Sequence, residues 1–527
     1  MLAIHHPDGS QERFAYDAAG RLIGHQDANG ARTRYRLDAL GRPVLRQDAL
    51  GGQLAYQWDP AGRLTALTNE NGAQTRFQYD TRDRLIEERG FDGKTSRYAY
   101  NGAGELSETI EAADCAAPRR TVHERDGSGR LIRKTSGQGG HPAITDYAYD
   151  AAGQLILARN QASRIEFAYD ARGQLIRETS RTGAGAQTLT HELDALGNRS
   201  STRLPDGRKL NWLSYGSGHL HQINIDGQTI CDIERDGLHR EIERTQGALT
   251  SRYALDAQGR LVSQRALRSE RTAPTGPTAD KRRPLIGAAT IERSYAYDAG
   301  GQLLQVQDRR RGRLAYSYDA IGRLTRALHG DGQEERFAFD PAHNLTERHS
   351  RRIDQESFDE DSPTPAAAED WDDYVRRRLP EPAFNPLTDG ARIKTGACAD
   401  NRLTVFEDKR YAWDAHGNLV EKRIGQHTIQ RYAWDAQGQL AEVQVSGRHG
   451  ATRTRYAYDA LGRRTAKRHT DAQGREQVTG FVWDGNRLLL ERSGSADTDT
   501  ERSRLYLYEP DSFVPLALVD AVGGGAP

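Results

Sequence analysis

Paired cysteines, long apolar runs and an excess of one charge are all missing from this chain of 527 residues. Its three cysteines, Cys115, Cys231 and Cys398, are odd in number and lie more than a hundred residues apart. They therefore indicate neither a disulfide framework nor a Cys-x-x-Cys metal site, and we expect idle or buried thiols. The 74 Lys and Arg residues balance 74 Asp and Glu residues. Because nucleic-acid-binding surfaces concentrate unneutralised cations, we expect no nucleic-acid partner.

Membrane and export signals are also missing from the sequence. Nowhere do eighteen apolar residues run together, and residues 1–8 contain neither a basic segment nor an apolar one. The sequence predicts no membrane span and no Sec signal peptide. We therefore expect the protein to be cytoplasmic in the cell that makes it and then to be secreted by a route other than Sec.

Glycine, by contrast, is abundant. The 53 glycines are about one residue in ten, above the usual share of roughly 7%, which indicates many turns. The length exceeds the ~250–300 residues at which a single hydrophobic core stops growing. The chain must therefore contain several domains or form a repeat array, and internal self-similarity decides for the array.

The repeat unit is an aromatic residue, any residue, a second aromatic or Leu, Asp, two residues, Gly, usually Arg or Gln, and Leu. It reads Phe14-Ala-Tyr-Asp-Ala-Ala-Gly-Arg-Leu22 and Tyr316-Ser-Tyr-Asp-Ala-Ile-Gly-Arg-Leu324. Counting Asn101 in the Asp position and a degenerate copy near Tyr215, we find nineteen copies. The aspartates are Asp17, Asp38, Asp59, Asp80, Asp126, Asp150, Asp170, Asp194, Asp236, Asp256, Asp298, Asp319, Asp340, Asp414, Asp435, Asp459 and Asp484.

The spacing of the unit predicts β-hairpins. Aromatic residues two positions apart lie on the same face of a strand, and Asp-x-x-Gly is typical of a hairpin turn in which Gly takes a left-handed conformation. A looser turn separates consecutive units. Nineteen units then give about 38 strands at ~4.8 Å spacing. Because long sheets twist and coil, we predict an all-β fold of tandem hairpins winding into a large spiral or shell-like sheet.

Two stretches interrupt the array. The sequence divides into a repeat array over 1–263, a Pro- and Thr-rich loop insertion over 264–290, and a second array over 291–346. An acidic, Pro-rich insertion follows over 347–402, and the array resumes over 403–527. Within the second insertion Ala366 to Leu379 is predicted to be a short helix, with Thr364 as N-cap and arginines near its end.

The Tyr-x-Tyr-Asp-x-x-Gly-Arg-Leu unit resembles the YD repeat of RHS (rearrangement hotspot) proteins from Phe14 to Trp483. Residues 401–423 and 505–520 are also similar to bacterial RHS cores. The resemblance implies a β-strand spiral that closes into a hollow shell around a C-terminal toxin. It also implies delivery in bacterial competition, often by type VI secretion, with spike or chaperone proteins as further partners.

The sequence departs from that family at its ends. The Asp-Pro-x-Gly-Leu motif that accompanies self-cleavage is absent, as is a toxin domain, and Asp59-Pro-Ala-Gly62 is in phase with the ordinary turns. The chain therefore looks like a middle segment of an RHS shell or a truncated reading frame. We expect neither protease nor toxin activity from it.

No residue qualifies as a catalytic, cofactor-binding or metal site. The repeated aspartates serve turns, since catalytic sites are singular. His219 and His221 share a strand face, but two imidazoles without a third ligand make a weak metal site, and His5-His6 carries still less weight. Gly216-Ser-Gly218 lacks the strand-loop-helix context of a phosphate loop.

Two classes of function remain open. The first is a non-enzymatic shell segment that carries the toxin of its parent polypeptide. The second is a cell-surface adhesive or carbohydrate-binding repeat protein, because rows of aromatic rings can stack on sugars. The missing signal peptide and the bacterial-type core segments favour the shell.

Overall fold

A computed structural model describes residues 2–137, 142–216, 218–268, 289–352, 394–399, 402–448, 450–495, 498–510 and 512–522. The described residues form a sheet of 43 strands and contain no helix. The prediction of an all-β fold is confirmed. The sheet holds more strands than the predicted 38 or so, because strands also form outside the recognisable repeats, as at both ends of the array.

The strands are short. The first fourteen are β1 Ala3–His5, β2 Gln11–Tyr16, β3 Leu22–Gln26, β4 Arg32–Leu37, β5 Pro43–Gln47, β6 Gln53–Trp58, β7 Leu64–Thr68, β8 Gln74–Tyr79, β9 Leu85–Arg89, β10 Thr95–Tyr100, β11 Leu106–Glu111, β12 Arg119–Arg125, β13 Leu131–Ser136 and β14 Ala143–Tyr149. The next fourteen are β15 Leu155–Arg159, β16 Ser163–Tyr169, β17 Leu175–Thr182, β18 Gly185–Leu193, β19 Arg199–Arg203, β20 Lys209–Tyr215, β21 His219–Ile225, β22 Gln228–Arg235, β23 Glu241–Gln246, β24 Leu249–Leu255, β25 Leu261–Arg268, β26 Ile291–Tyr297, β27 Leu303–Asp308 and β28 Gly312–Tyr318. The last fifteen are β29 Leu324–His329, β30 Gln333–Phe339, β31 Leu345–Arg352, β32 Lys394–Ala399, β33 Arg402–Phe406, β34 Lys409–Trp413, β35 Leu419–Ile424, β36 Thr428–Trp434, β37 Leu440–Gly447, β38 Gly450–Tyr458, β39 Arg464–Thr470, β40 Glu476–Asp484, β41 Arg487–Ser495, β42 Thr498–Tyr508 and β43 Pro515–Val522.

Each strand pairs antiparallel with the next strand along the chain, from β1 with β2 to β42 with β43. Among the described strands, β1 and β43 are paired on one side only, so the sheet is open. The strands extend into both predicted insertions: β25 ends at Arg268, β31 ends at Arg352, and β32 lies at Lys394–Ala399. The predicted helix from Ala366 to Leu379 lies outside the described residues.

The Asp-x-x-Gly turns have the predicted geometry. In the turn that begins at Asp319, the N–H of Gly322 donates to the Asp319 carbonyl at 3.0 Å, and Gly322 has φ of 86°. The carboxylate of Asp319 accepts the backbone N–H groups of Ile321 and Arg323 at 3.1 and 3.0 Å. The pairing register shifts between Ser317 and Tyr318, which marks a β-bulge in the strands next to this turn.

The arginine and the second aromatic of the repeat tie neighbouring units together. The Arg63 side chain donates to the Asp59 carboxylate at 2.7 Å and to the Asp80 carbonyl of the next unit at 3.2 Å. Its guanidinium also lies over the Tyr79 ring, 5.2 Å from the centroid, and the Tyr79 hydroxyl donates to the Leu64 carbonyl at 2.9 Å. The same contacts recur along the chain, so most of these aromatic rings serve the packing between repeats.

The main hydrophobic core lies where distant parts of the array meet. Fourteen buried residues form it: Leu189, Leu204, Leu210, Leu220, Ile223, Ile225, Cys231, Ile233, Val482, Leu489, Leu490, Leu505, Leu507 and Leu516. The first eight come from residues 189–233 and the last six from residues 482–516. The C-terminal strands therefore pack on the middle of the chain.

Candidate functional site: the seam between two coils

The wall winds back on itself, and side chains separated by 252 to 310 residues meet. We call residues 2–255 the first coil and residues 256–522 the second coil, and we call the line of contact between them the seam. Along most of the seam, turns between repeats of the first coil face Asp-x-x-Gly turns of the second. A single winding thus spans about half of the chain.

Asparagine–aspartate hydrogen bonds join the first part of the seam. Asn29 donates from its amide nitrogen to the Asp298 carboxylate at 3.0 Å, and its amide oxygen accepts the N–H of Gly300 at 2.8 Å. Asn71 donates to Asp340 at 2.8 Å. Both Asn–Asp pairs are separated by 269 residues, so the two coils are in register over this stretch.

A buried cluster of charges joins the second part of the seam. Arg463 lies 2.8 Å from the Glu178 carboxylate of the first coil and 2.7 Å from Asp459 of its own turn. Only 6% of the Arg463 side chain is exposed, and Glu178 and Asp459 are 4% and 1% exposed. One cation thus neutralises two carboxylates that are almost fully buried, and loss of such a cation is far more costly than loss of a surface charge.

The charged groups in this cluster change one another's pKa values. Burial raises the pKa of Glu178 above its ordinary value, and Arg463 limits the rise. Burial also lowers the pKa of Arg463, but Glu178 and Asp459 together raise it above its ordinary value. A cavity of about 70 Å³ borders all three side chains. A shifted carboxyl group in a cavity is typical both of catalytic sites and of structural ion pairs; here the direct ion pair and full burial indicate the structural role.

A second cross-seam pair lies close to the main core. Arg199 of the first coil forms an ion pair with Asp484 of the second. Nearby, Nδ1 of the buried His191 is hydrogen-bonded to the Thr202 hydroxyl at 2.7 Å. Burial lowers the pKa of His191 to about 4, so the imidazole is neutral at pH 7.

Asp484 corrects one expectation from the sequence, that every motif aspartate serves an Asp-x-x-Gly turn. It ends strand β40 and pairs in register with Arg487, because the chain reads Asp484-Gly-Asn rather than Asp-x-x-Gly at this point. Its carboxylate is thereby free to bind across the seam. The other motif aspartates accept turn hydrogen bonds, as Asp80 shows: the backbone N–H of Arg84, followed by its guanidinium, lowers the pKa of Asp80 to about 2.

The structure separates the two histidines that share a face of β21. His219 stacks on His239 with ring centroids 3.8 Å apart, whereas His221 lies 3.8 Å from the Asp232 carboxylate. His6 contacts Glu12 at 3.0 Å, and Gln11 contacts the neighbouring His5 at 3.5 Å. None of these histidines belongs to a cluster of three or more metal-ligating residues within the described part of the chain.

The remaining motif residues occupy structural positions. Gly216 and Gly218 lie in the turn between β20 and β21 with φ of 57° and 119°, and the intervening serine lies outside the described residues. Cys231 is buried and Cys115 half-buried, both as free thiols. Burial raises the pKa of the Cys231 thiol to about 11, so it is protonated at pH 7.

The fold and the seam define a repeat-built β wall wound into two coils. The sequence model of the RHS repeat matches residues 2–31, 16–53, 58–95, 297–334 and 434–476. The chain belongs to the RHS-repeat family.

Two curated relatives are toxins. The chain is 33% identical over 423 residues to double-stranded DNA deaminase toxin A of Burkholderia cenocepacia, a match that covers 76% of this chain and 25% of the relative. It is 33% identical over 402 residues to toxin protein Tse5 of Pseudomonas aeruginosa, covering 75% and 28%. The chain thus matches about a quarter of the length of each relative.

Solved structures share the fold. A crystal structure of TcdB2-TccC3-Cdc42 superposes with a TM-score of 0.72 at 15% identity, covering 99% of this chain and 29% of that one. The Tc holotoxin pore of Photorhabdus luminescens, with the mutation TccC3-D651A, also gives 0.72 at 14% identity. At such identities the likeness concerns the fold alone. Among the described residues, no helix has the length and apolar character needed to cross a membrane.

Proposed function

We propose that this chain is a non-enzymatic section of a shell that encloses a toxin at the C-terminal end of a longer polypeptide. The observation that carries the proposal is the seam. Buried ion pairs and a shared core hold the two coils of the wall together, as a wall around a cargo would require. The two relatives are toxins by name, and the part of each that matches this chain is about a quarter of its length.

The proposed cargo needs a route out of the producing cell. We propose that the parent polypeptide is loaded in the cytoplasm and delivered to competing bacteria by type VI secretion. A secretion spike and a chaperone are the proposed partners of this step. The toxin names of the two bacterial relatives support delivery to a target cell; the type VI route rests on the family resemblance.

The absence of catalysis is part of the proposal. The motif aspartates other than Asp484 accept turn hydrogen bonds, as Asp319 does, and the buried carboxylates of Glu178 and Asp459 are neutralised by Arg463. Purified chain incubated for days at pH 7 should therefore keep its intact mass of 58.7 kDa. A discrete cleavage product that disappears when one aspartate is changed to alanine would refute the non-enzymatic role.

Protection of the cargo tests the shell. The full-length parent should yield a protease-resistant C-terminal domain and, by electron microscopy, a closed cavity with density inside. A parent carrying Arg463→Met should lose protection of the C-terminal domain, whereas Arg42→Met should not, because Arg42 pairs only within its own coil. Equal digestion of the C-terminal domain in the unaltered parent and in the isolated domain would refute enclosure.

Carbohydrate binding is the second candidate, and one cavity favours it. This cavity of about 450 Å³ is lined by aromatic residues Trp212, Tyr506 and Tyr508 together with Arg199 and Asp484. Aromatic faces beside charged hydrogen-bonding groups are typical of sugar sites. Binding of the chain to glycans on an array, lost on Trp212→Ala, together with an open rod in micrographs of the parent, would favour this function over the shell.

A further inference from the structure

A group of three potential metal ligands lies on the seam, where the sequence predicted no metal site. We propose that Asp48, Glu70 and His343 bind one divalent transition-metal ion, such as Zn²⁺ or Mn²⁺, which clamps the second coil to the first. The proposal concerns this chain's own wall and does not depend on which cargo the wall encloses.

The three residues come from three separate turns. Asp48 lies between β5 and β6, Glu70 between β7 and β8, and His343 between β30 and β31. One ligand atom from each lies within 4.8 Å of the others. Around Zn²⁺ in a tetrahedral site, ligand atoms at ~2.0–2.2 Å from the metal lie about 3.3 Å apart. Side-chain movements of roughly 1.5 Å would therefore complete the site.

Both carboxylates have coordinating capacity to spare. Asp48 uses Oδ1 to accept the turn N–H groups of Leu50 and Gly52 at 2.9 and 2.8 Å, which leaves Oδ2 for a ligand. The Glu70 side chain is only 7% exposed, and its ion pair with Arg46 is long, at 3.4 Å. Charge-assisted hydrogen bonds are usually 2.7–2.9 Å long. A buried carboxylate with so distant a partner is poorly compensated, and a metal ion would supply the missing charge.

The position of the group in the seam supports a clamp. The Asn–Asp bonds at Asn29 and Asn71 lie two repeats apart, and Leu50 occupies the corresponding turn position between them. Leucine cannot make that hydrogen bond. A metal held by Asp48 of this turn and by His343, which lies in the second-coil turn that begins at Asp340, would give the Asp48 turn a cross-link to the second coil.

His343 is itself a departure from the repeat. It occupies the position that is glycine in most Asp-x-x-Gly turns, and it has φ of 69°. Arg323 donates to its Nδ1 at 3.3 Å, so binding a metal through either ring nitrogen requires this long hydrogen bond to break. An imidazole together with carboxylates favours Zn²⁺ or Mn²⁺ over Mg²⁺ and Ca²⁺, which prefer oxygen ligands alone. The nearby Arg46 and Arg323 guanidinium groups oppose a cation, so we expect moderate affinity.

Calorimetric titration of the untagged, EDTA-treated full chain with ZnCl₂ and with MnCl₂ tests the site. We expect one site that is lost in His343→Gly, a variant whose turn glycine suits the positive φ. The matched control is His239→Gly, because His239 has the same turn position with φ of 61° but stacks on His219. The control should still bind one metal ion. That result would distinguish the proposed site from non-specific binding to any of the 16 histidines.

Thermal unfolding gives a second readout. The metal should raise the unfolding midpoint of the unaltered chain by roughly 2–4 °C, and EDTA should reverse the rise. Asp48→Asn should abolish the rise without unfolding the turn, since Asn69 makes the same turn hydrogen bonds in the next inter-repeat loop. No binding by the unaltered chain, retention of the site in His343→Gly, or its equal loss in His239→Gly would each overturn the proposal.

Discussion

Replacement of Arg463 by methionine should destabilise the seam much more than the same change at an equivalent arginine elsewhere. Methionine keeps the apolar stem of the side chain and removes the charge. Glu178 and Asp459 would then be left as unpaired carboxylates that are 4% and 1% exposed. Removing one partner of a buried ion pair typically costs about 3–5 kcal/mol, a large part of the stability of an ordinary domain.

Arg42→Met is the matched control. Arg42 also binds the aspartate of its own turn, Asp38, at 2.7 Å and donates to a carbonyl of the next turn at 3.2 Å. Its side chain and that of Asp38 are 24% and 22% exposed, so water can solvate the carboxylate that remains. We expect a clearly smaller loss, since partly exposed pairs contribute little.

Local hydrogen exchange is the appropriate assay, because repeat arrays need not unfold in one step. In Arg463→Met, the amides of β17 and of β38–β39 should exchange faster than in the unaltered chain, and urea unfolding should begin at lower concentration. Adding Glu178→Gln should recover part of the loss, because it removes one of the two unpaired charges. Equal effects of the Arg463 and Arg42 changes would refute the reasoning.

The pH dependence of this variant gives an independent check. Burial raises the pKa of Glu178, and without Arg463 it should rise further. A carboxyl group whose pKa is raised by folding binds its proton more tightly in the folded state, so the loss should shrink as the pH is lowered from 7 towards 5. A loss that grows as the solution is acidified would contradict this assignment.

Three further predictions concern single turns and the C-terminal core. Gly322→Val should destabilise its hairpin more than Asp319→Ala, because valine is strained at a φ of 86° whereas losing carboxylate hydrogen bonds costs about 1 kcal/mol each; thermal unfolding of the two variants compares them. The pKa of the Asp80 carboxyl is lowered from 3.8 to about 2. The carboxylate should therefore stabilise its turn above pH 3.8, and this stabilisation should be lost as the pH falls to about 2. Hydrogen exchange of the turn should show this pH dependence in the unaltered chain but not in Asp80→Asn. The Leu490 side chain is 0% exposed in the main core, so Leu490→Ala should lower the free energy of unfolding by about 2–5 kcal/mol. The C-terminal strands should then be cut faster in limited proteolysis. An unchanged digestion pattern would show that this core does not hold them.

The sequence predicted the local structure well because every repeat encodes it in the same few residues. The turn at Asp319 and the strands on either side follow from period-two aromatics and Asp-x-x-Gly. The role of the repeat arginine was missed, although its regular occurrence next to the glycine was a visible signal.

The seam could not be predicted in the same way. Glu178 and Arg463 are 285 positions apart, taking 463 − 178, and no local pattern relates them. Their meeting depends on the curvature summed over many hairpins, which short-range spacing does not determine. For the same reason nothing in the local sequence singles out His343, because Asp48 and Glu70 belong to the other coil. Asp484 is a different case, because Asp484-Gly-Asn already departs from Asp-x-x-Gly.

The constant separation of 269 residues in the two asparagine–aspartate contacts has a consequence for how the gene can change. The turns of the two coils face each other in register, with one turn pair per hairpin and 21 residues between the early aspartates. Gain or loss of a whole repeat would shift this register by one repeat, so that each turn would face a different turn of similar structure. Gain or loss of a single strand would reverse the direction of every later strand and place the wrong turns at the seam. Recombination between whole repeats is thus the change in length that such a wall tolerates best.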